Sequence, residues 1–113
     1  MIFCARNEDG IPTWQLVLSG DKTTTRRIKP MVVGKEFAIQ PGRGKFAVCR
    51  GRVLSCINSL DHWKGHKGDI CGYKNVEAAL EGFNSWRGLM GFFENKDIVF
   101  GDTFRIEFEV IKV

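Results

Sequence analysis

The sequence predicts an α+β, mostly β fold: a small mixed β-barrel of about five or six strands with short flanking helices. Three observations lead to this prediction. The strand-like segments are short and end at turn residues, they do not alternate regularly with helices, and several glycines fall where a strand would bend. The chain has 113 residues, of which 43% are hydrophobic, so we expect a single domain over residues 1–113 with one core.

Five segments have the patterns of strands, and they cover residues 1–5, 23–29, 36–40, 46–58 and 104–111. The last segment is the clearest, because Phe104, Ile106 and Phe108 alternate with charged residues. This alternation predicts one side that faces the core and one that faces solvent. The long fourth segment changes its apolar phase near Gly51, and this change predicts a bulge there.

Three short helices are expected, over residues 14–19, 75–80 and 84–93. Thr13, Asn75 and Asn84 are the predicted N-caps, because their side chains can accept hydrogen bonds from amides of a first helical turn. Gly20 can adopt the left-handed backbone conformation that ends the first helix. These helices would lie on the sheet rather than alternate with its strands.

The densest group of polar side chains follows Gly20 directly. It contains one lysine, three threonines and two arginines: Lys22, Thr23, Thr24, Thr25, Arg26 and Arg27. Alternation along an extended chain would place Thr25 and Arg27 on one face. If Lys22 lies in the turn after Gly20, its amine can reach Thr25. The pattern predicts polar groups at the rim of a core.

Three ordered blocks resemble the ASCH family, the activating-signal-cointegrator homology domains of the PUA-like superfold. The blocks are Gly20-x-Lys22-x-x-Thr25-x-Arg27, residues 34–39 (GKEFAI) and residues 78–85 (AALEGFNS). The resemblance implies a PUA-like barrel whose ASCH-type cleft, with a basic flank, binds RNA or a modified nucleoside. Residues 61–74 look like an insertion relative to that family.

The resemblance also implies three catalytic residues if the protein is an enzyme: Lys22, Thr25 and Glu81. These positions match those implicated in ASCH-like proteins that hydrolyse acetylated cytidine. Thr25 would be the nucleophile, Lys22 its base with a lowered pKa, and Glu81 a proton shuttle. A small amidohydrolase acting on acylated cytidine and a ribonuclease are therefore alternatives to binding alone. The structural alternative is that Lys22 and Arg27 form ordinary ion pairs.

The ligand-binding residues that we expect are Gly20, Lys22, Thr24, Arg26, Arg27, Arg43, Lys45, Arg50, Arg52 and Trp63. Residues 22–52 contain nine basic residues and one acidic residue, although the net charge of the whole chain is only +4. A polyanionic partner such as RNA, or a nucleotide, would approach this part of the chain. A solvated basic loop without a ligand is the alternative explanation.

Neither a cofactor nor a bound metal is expected. Cys56, His62, His66 and Cys71 have a spacing that gives only a weak zinc signal, because the chain lacks a Cys-x-x-Cys pair. Residues 61–69 are predicted instead to form a mobile polar lid, with Trp63 folding over a ligand. A protein-protein adaptor would present Trp63 and Tyr73 in an exposed apolar patch.

The cellular compartment is expected to be the cytoplasm. The four cysteines are dispersed as reduced thiols would be, and the sequence shows no secretory signal pattern. No apolar run approaches the roughly 20 residues that cross a bilayer, so no membrane partner is expected.

Overall fold

The computed structural model describes residues 1–66 and 70–112. Within these residues, four strands form one antiparallel sheet in the order β1-β4-β3-β2. The strands are β1 (Thr24–Arg27), β2 (Glu36–Ile39), β3 (Cys49–Asn58) and β4 (Phe104–Lys112). The helices are α1 (Thr13–Ser19), α2 (Ser59–Lys64), α3 (Ile70–Leu80) and α4 (Trp86–Asn95), and a 3-10 turn covers Phe100–Asp102. The α+β class is confirmed.

The sheet is not a closed barrel, because β1 and β2 form its two edges. The predicted number of five or six strands is not confirmed in the described part of the chain. Residues 1–5 make one parallel bridge, between Ile2 and Gln40, instead of a strand. The reason is that the Ala5 carbonyl accepts a hydrogen bond of 2.8 Å from the Thr13 amide, which turns the chain away from β2 toward α1.

The pairing of β3 with β4 shifts register between Arg50 and Gly51 and again between Val53 and Ser55. The first shift confirms the bulge that was predicted at Gly51. A Cβ atom on Gly51 would lie 2.7 Å from Cζ of Phe37 and 3.3 Å from the carbonyl oxygen of Glu109. Only glycine therefore allows the Phe37 ring to lie directly on the strand.

The core contains two clusters of buried side chains. The larger cluster lies between α1 and the sheet: Phe3, Val17, Phe37, Ile39, Cys49, Val53, Ile106 and Phe108. The smaller cluster packs α3 against α4: Ala78, Phe83, Leu89 and Phe93. The predicted solvent-facing side of β4 is wrong at Arg105, which is buried because Glu77 of α3 pairs with it.

The first helix lies where the sequence predicts it, and Gly20 ends it with a φ of 85°. All three predicted N-caps are wrong. Thr13 is the first residue of α1, after Pro12, and Asn75 lies inside α3, which begins at residue 70. Ser85 caps α4 by accepting a hydrogen bond of 3.0 Å from the Gly88 amide. Asn84 instead donates to a neighbouring carboxylate, that of Asp9.

The predicted lid over residues 61–69 is wrong at its start, because residues 61–64 belong to α2. Asn58 caps this helix by accepting from the amides of Leu60 and Asp61. Residues 67–69 of the predicted lid lie outside the described residues. Among the described helices, none has the length and apolar character needed to cross a bilayer.

Replacing Gly51 with alanine should lower the free energy of unfolding by about 1–3 kcal/mol, because the new methyl group overlaps the buried Phe37 ring. Urea unfolding followed by circular dichroism measures the change. Gly91→Ala in α4 is the matched control, since a Cβ atom there meets nothing within 4 Å. The control should be neutral or stabilising by up to about 1 kcal/mol. Equal stabilities of the two variants would contradict this account of the bulge.

Candidate functional site

A cavity of about 420 Å³ lies between the N-terminal segment, β1 and α4. Its polar lining residues are Thr13, Lys22, Thr25, Arg26, Arg27, Arg43, Glu81 and Lys96. Its apolar walls include Phe3, Phe83, Leu89, Phe92, Phe93 and Ile98. The cavity thus combines aromatic walls with a small set of converging polar groups, which is the usual composition of a small-molecule site.

Lys22 lies in the turn after α1, and its amide donates to the Leu16 carbonyl. Its ammonium group is buried, with a residue exposure of 5%. Nζ donates to the carbonyl oxygens of Thr24 and Glu81, both at 2.8 Å. The Oε1 atom of Glu81 lies 3.6 Å from Nζ. The lysine in the turn between α1 and β1 therefore lies beside the acid that follows α3.

The surroundings of Lys22 lower its pKa from 10.5 to about 8. Burial is the largest cause, because it removes water from the ammonium group. The Glu81 carboxylate opposes this shift, while the charges of Arg27 and Arg26 add to it. A substantial fraction of Lys22 is therefore neutral just above physiological pH.

Glu81 reaches this position because the chain turns sharply at Gly82, which has a φ of 90°. A Cβ atom on Gly82 would lie 2.9 Å from Cδ1 of Leu16, so the turn packs closely against α1. The Glu81 side chain is buried between two cations. Its second carboxylate oxygen lies 3.5 Å from Nη1 of Arg26.

Arg26 also lines the cavity, and a buried network of hydrogen bonds holds its guanidinium group. Its guanidinium group donates to Glu77 at 2.8 Å, to Ser59 at 3.1 Å and to Tyr73 at 3.4 Å. Its Cζ atom lies 5.1 Å from the centre of the Phe100 ring. Arg26 thus forms ion pairs with both Glu81, which lines the cavity, and Glu77 of α3.

Glu77 is the acid at the centre of this network. Its burial would raise its pKa, but hydrogen bonds from Arg105 and Arg26 outweigh that effect and lower the pKa below its ordinary value. Glu77 therefore remains ionised and orients both arginines. Sequence reasoning missed Glu77 and Arg105. The only signal was that Glu77 precedes Glu81 by four residues, which puts both on one side of a helical turn.

Thr25 and Arg27 both line the cavity as expected, but Arg26 lines it too, so the cavity does not separate the two predicted faces of β1. Nη2 of Arg27 donates to the Ile2 carbonyl at 2.8 Å, and its Cζ atom lies 5.1 Å from the centre of the Phe3 ring. Burial lowers the pKa of Arg27. Thr24 is fully buried, so it is not accessible to a ligand, and within residues 1–66 and 70–112 its hydroxyl has no hydrogen-bond partner.

Gly20 lies on a different surface from the cavity. It lines a groove of about 500 Å³ between the end of α1 and β4, together with Thr23. Lys22 lines both the groove and the cavity, although its amine is bound on the Glu81 side. The structure thus brings most of the residues after Gly20 together, but it does not bring Gly20 itself to the cavity.

The predicted basic flank does not form one surface. Arg43 lines the cavity, whereas Lys45 is exposed and lies outside the described lining. Arg50 and Arg52 lie on the sheet surface, where Glu36 is 3.7 Å from the first and 3.8 Å from the second. Arg52 also faces a carboxylate on β4, Glu109, at 3.4 Å. The charges of these two arginines are therefore largely balanced by nearby acids.

Trp63 also lies outside the described cavity lining. Its ring packs 5.1 Å from the ring of Tyr73 and 5.9 Å from that of Trp86. Tyr73 is only 7% exposed, so the apolar patch expected of an adaptor is not formed by this pair. The described residues contain no group of three or more His, Cys, Asp or Glu residues arranged to hold a metal ion.

The chain matches no family model and no curated protein. Among solved structures, the fold is similar to that of protein EF3133 from Enterococcus faecalis V583, which is described as a DUF984 protein. The match covers 95% of this chain and 71% of that chain, with a TM-score of 0.56 and 18% sequence identity. At this identity the likeness shows the fold alone.

Replacing Glu77 with glutamine should lower the free energy of unfolding by about 3–5 kcal/mol, because it leaves Arg26 and Arg105 buried without a counter-charge. Glu36→Gln is the matched control, since Glu36 also faces two arginines but is exposed. Its effect should stay within about 0.5 kcal/mol. Urea unfolding at pH 7 measures both variants.

The difference in unfolding free energy between the wild type and Glu77→Gln should depend on pH with a defined sign. Because folding lowers the pKa of Glu77 from 4.5, its contribution is complete above that value and is lost as the pH falls through the folded pKa. The wild type should therefore lose more stability than Glu77→Gln on acidification below pH 4.5. Parallel pH profiles would contradict the lowered pKa.

Proposed function

We propose that the protein binds a modified nucleoside, free or as part of RNA, in the cavity. The single observation that carries the proposal is that Lys22, Thr25 and Glu81 all line it. These are the three positions that the resemblance to ASCH-like proteins implicates. The volume of about 420 Å³ falls within the range of small-ligand sites and suits a nucleoside.

The walls of the cavity supply what a nucleobase requires. Phe92, which is partly exposed, offers a ring against which a base can pack, and the buried rings of Phe3 and Phe83 complete the apolar wall. The Thr25 hydroxyl can donate or accept at the edge of the base, and the Arg27 guanidinium can donate to a carbonyl oxygen. The polar and apolar requirements of a pyrimidine are thus met by residues of one cavity.

Hydrolysis of an acylated cytidine is the second candidate function. The observation that favours it is the environment of Lys22, whose pKa is lowered to about 8. A neutral amine has two N–H groups and one lone pair. The carbonyls of Thr24 and Glu81, each 2.8 Å from Nζ, match the two N–H groups, so the lone pair remains available to accept a proton. No comparable observation favours the ribonuclease, which stays a prediction.

In this second function, Thr25 would transfer its hydroxyl proton to Lys22 while its oxygen bonds to the acyl carbon. The carbon–nitrogen bond then breaks, and the amine of cytidine leaves with the proton passed from Lys22 through Glu81, which is 3.6 Å away. Water next attacks the acyl-threonine, giving the carboxylic acid and restoring the Thr25 hydroxyl. Each step conserves protons and needs no redox partner.

Binding is tested by titrating the protein with N4-acetylcytidine in a calorimeter. Thr25→Val, which keeps the shape of the side chain but removes its hydroxyl, should weaken binding by about tenfold, the value of one buried hydrogen bond. Thr23→Val is the matched control, because Thr23 belongs to the same segment but lines the groove instead of the cavity. Equal affinities of the two variants, or no binding by the wild type, would count against the proposal.

Turnover is tested by following the release of cytidine from N4-acetylcytidine between pH 6 and 10. If Lys22 is the base, the rate should rise about tenfold per pH unit and level off above about pH 8, because the neutral amine is the active form. Lys22→Met should abolish release, whereas Lys35→Met, at an exposed site, should not. A rate that does not vary with pH would exclude Lys22 as the base, and no release by the wild type would leave binding alone.

A further inference from the structure

We propose that the cavity binds a phosphate group of its ligand between Arg27 and Arg43. The ligand would then be a nucleotide, or a nucleotide unit of RNA, and not a bare nucleoside. This inference rests on the proposed function, because it names the class of ligand that the same cavity takes. It rests on the positive charge of the cavity lining, on a buried N–H group of Arg27 and on the presence of Arg43 in the same lining.

The described lining of the cavity carries an excess of positive charge. It contains five basic side chains and one carboxylate: Lys22, Arg26, Arg27, Arg43, Lys96 and Glu81. That carboxylate is already shared between Lys22, at 3.6 Å, and Arg26, at 3.5 Å. Glu77 balances the remaining charge of Arg26 from the other side. The other three cations, Arg27, Arg43 and Lys96, therefore have no carboxylate of the described lining at ion-pair distance, although the Glu81 charge still acts on Arg27.

Arg27 is the most constrained of these three cations. Its guanidinium group donates to one carbonyl and lies on the Phe3 ring, but its buried Nε–H group has no hydrogen-bond partner among the described residues. No carboxylate of the described residues lies within ion-pair distance of Arg27. A largely buried cation in this state is costly, and an anion entering the cavity would reduce that cost.

Arg43 lines the same cavity as Arg27. The Ile2 carbonyl accepts the hydrogen bond from Arg27, and Ile2 also bridges to Gln40 at the end of β2. Arg43 follows Gln40 by three residues, in a turn with glycine on either side, and its side chain is exposed while lining the cavity. Backbone contacts of Ile2 thus link the segments that carry the two arginines.

Phosphate is the anion that fits this pair and the proposed ligand. Each guanidinium group presents several N–H donors in a planar fork, which matches the spacing of phosphate oxygens. A nucleoside carries no anionic group, whereas a nucleotide carries a phosphate. That phosphate is the natural partner for two cations that line an aromatic cavity. Free nucleotides and RNA share this chemistry, and the experiment separates them.

The test compares the affinities of N4-acetylcytidine, its 5′- and 3′-monophosphates and an RNA trinucleotide with acetylcytidine at its centre. At low salt, at least one phosphorylated ligand should bind about 10- to 100-fold more tightly than the nucleoside. Arg43→Gln should remove most of this gain, and it should fold because Arg43 is exposed. Lys35→Gln, which removes the same charge at an exposed site outside the described lining, should retain it.

The outcomes separate this inference from the proposed function. Tight binding of a monophosphate points to a free nucleotide, and tight binding of the trinucleotide alone points to RNA; both support a phosphate site. If the nucleoside binds but no phosphorylated ligand binds more tightly, the phosphate site is excluded while the proposed function stands. An equal loss in Arg43→Gln and Lys35→Gln would also exclude it. If none of the ligands binds, both proposals fail.

Discussion

The carboxylate of Glu81 lies between two buried cations, the ammonium group of Lys22 and the guanidinium group of Arg26. Removing Glu81 would leave the Lys22 ammonium group buried without its carboxylate partner, a state that proteins tolerate poorly, whereas Arg26 would keep Glu77. The acid is separated from the two cations by 59 and 55 residues of sequence, so both halves of the chain must be in place before the charges can be paired. All three residues of this cluster line the cavity.

Hydrogen bonds to the backbone around Glu81 hold the two halves of the chain in this arrangement. The Thr23 amide donates to the Leu80 carbonyl at 3.0 Å, directly beside the Glu81 turn. On the other side of that turn, the Asn7 side chain donates to the Gly82 carbonyl, and the Glu8 carboxylate accepts from the Asn84 amide at 2.9 Å. These bonds fix the turn from both sides, so the proposed binding of a ligand would not have to order the carboxylate first.

Local features of the fold could be predicted from the sequence, and long-range burial of charge could not. The end of α1 at Gly20 and the bulge at Gly51 could be predicted, because each leaves a signal in the residues adjacent to the glycine in the sequence. The convergence on Glu81 came from the family resemblance, since no periodicity links residues so distant in sequence. The alternation along β4 placed Arg105 on the solvent-facing side, as is usual for a charged residue on a strand. Arg105 is buried instead, because Glu77 of another element pairs with it.

The ionisation of Lys22 tests the central claim most directly, and it can be measured by NMR from the pH dependence of its side-chain Cε and Hε shifts. Our account predicts a titration midpoint at about 8, set mainly by burial. Because the Glu81 carboxylate raises that pKa, Glu81→Gln should move the midpoint lower still. A midpoint at the ordinary value of 10.5 in the folded wild type, unmoved by Glu81→Gln, would contradict the claim that this amine is buried against the acid.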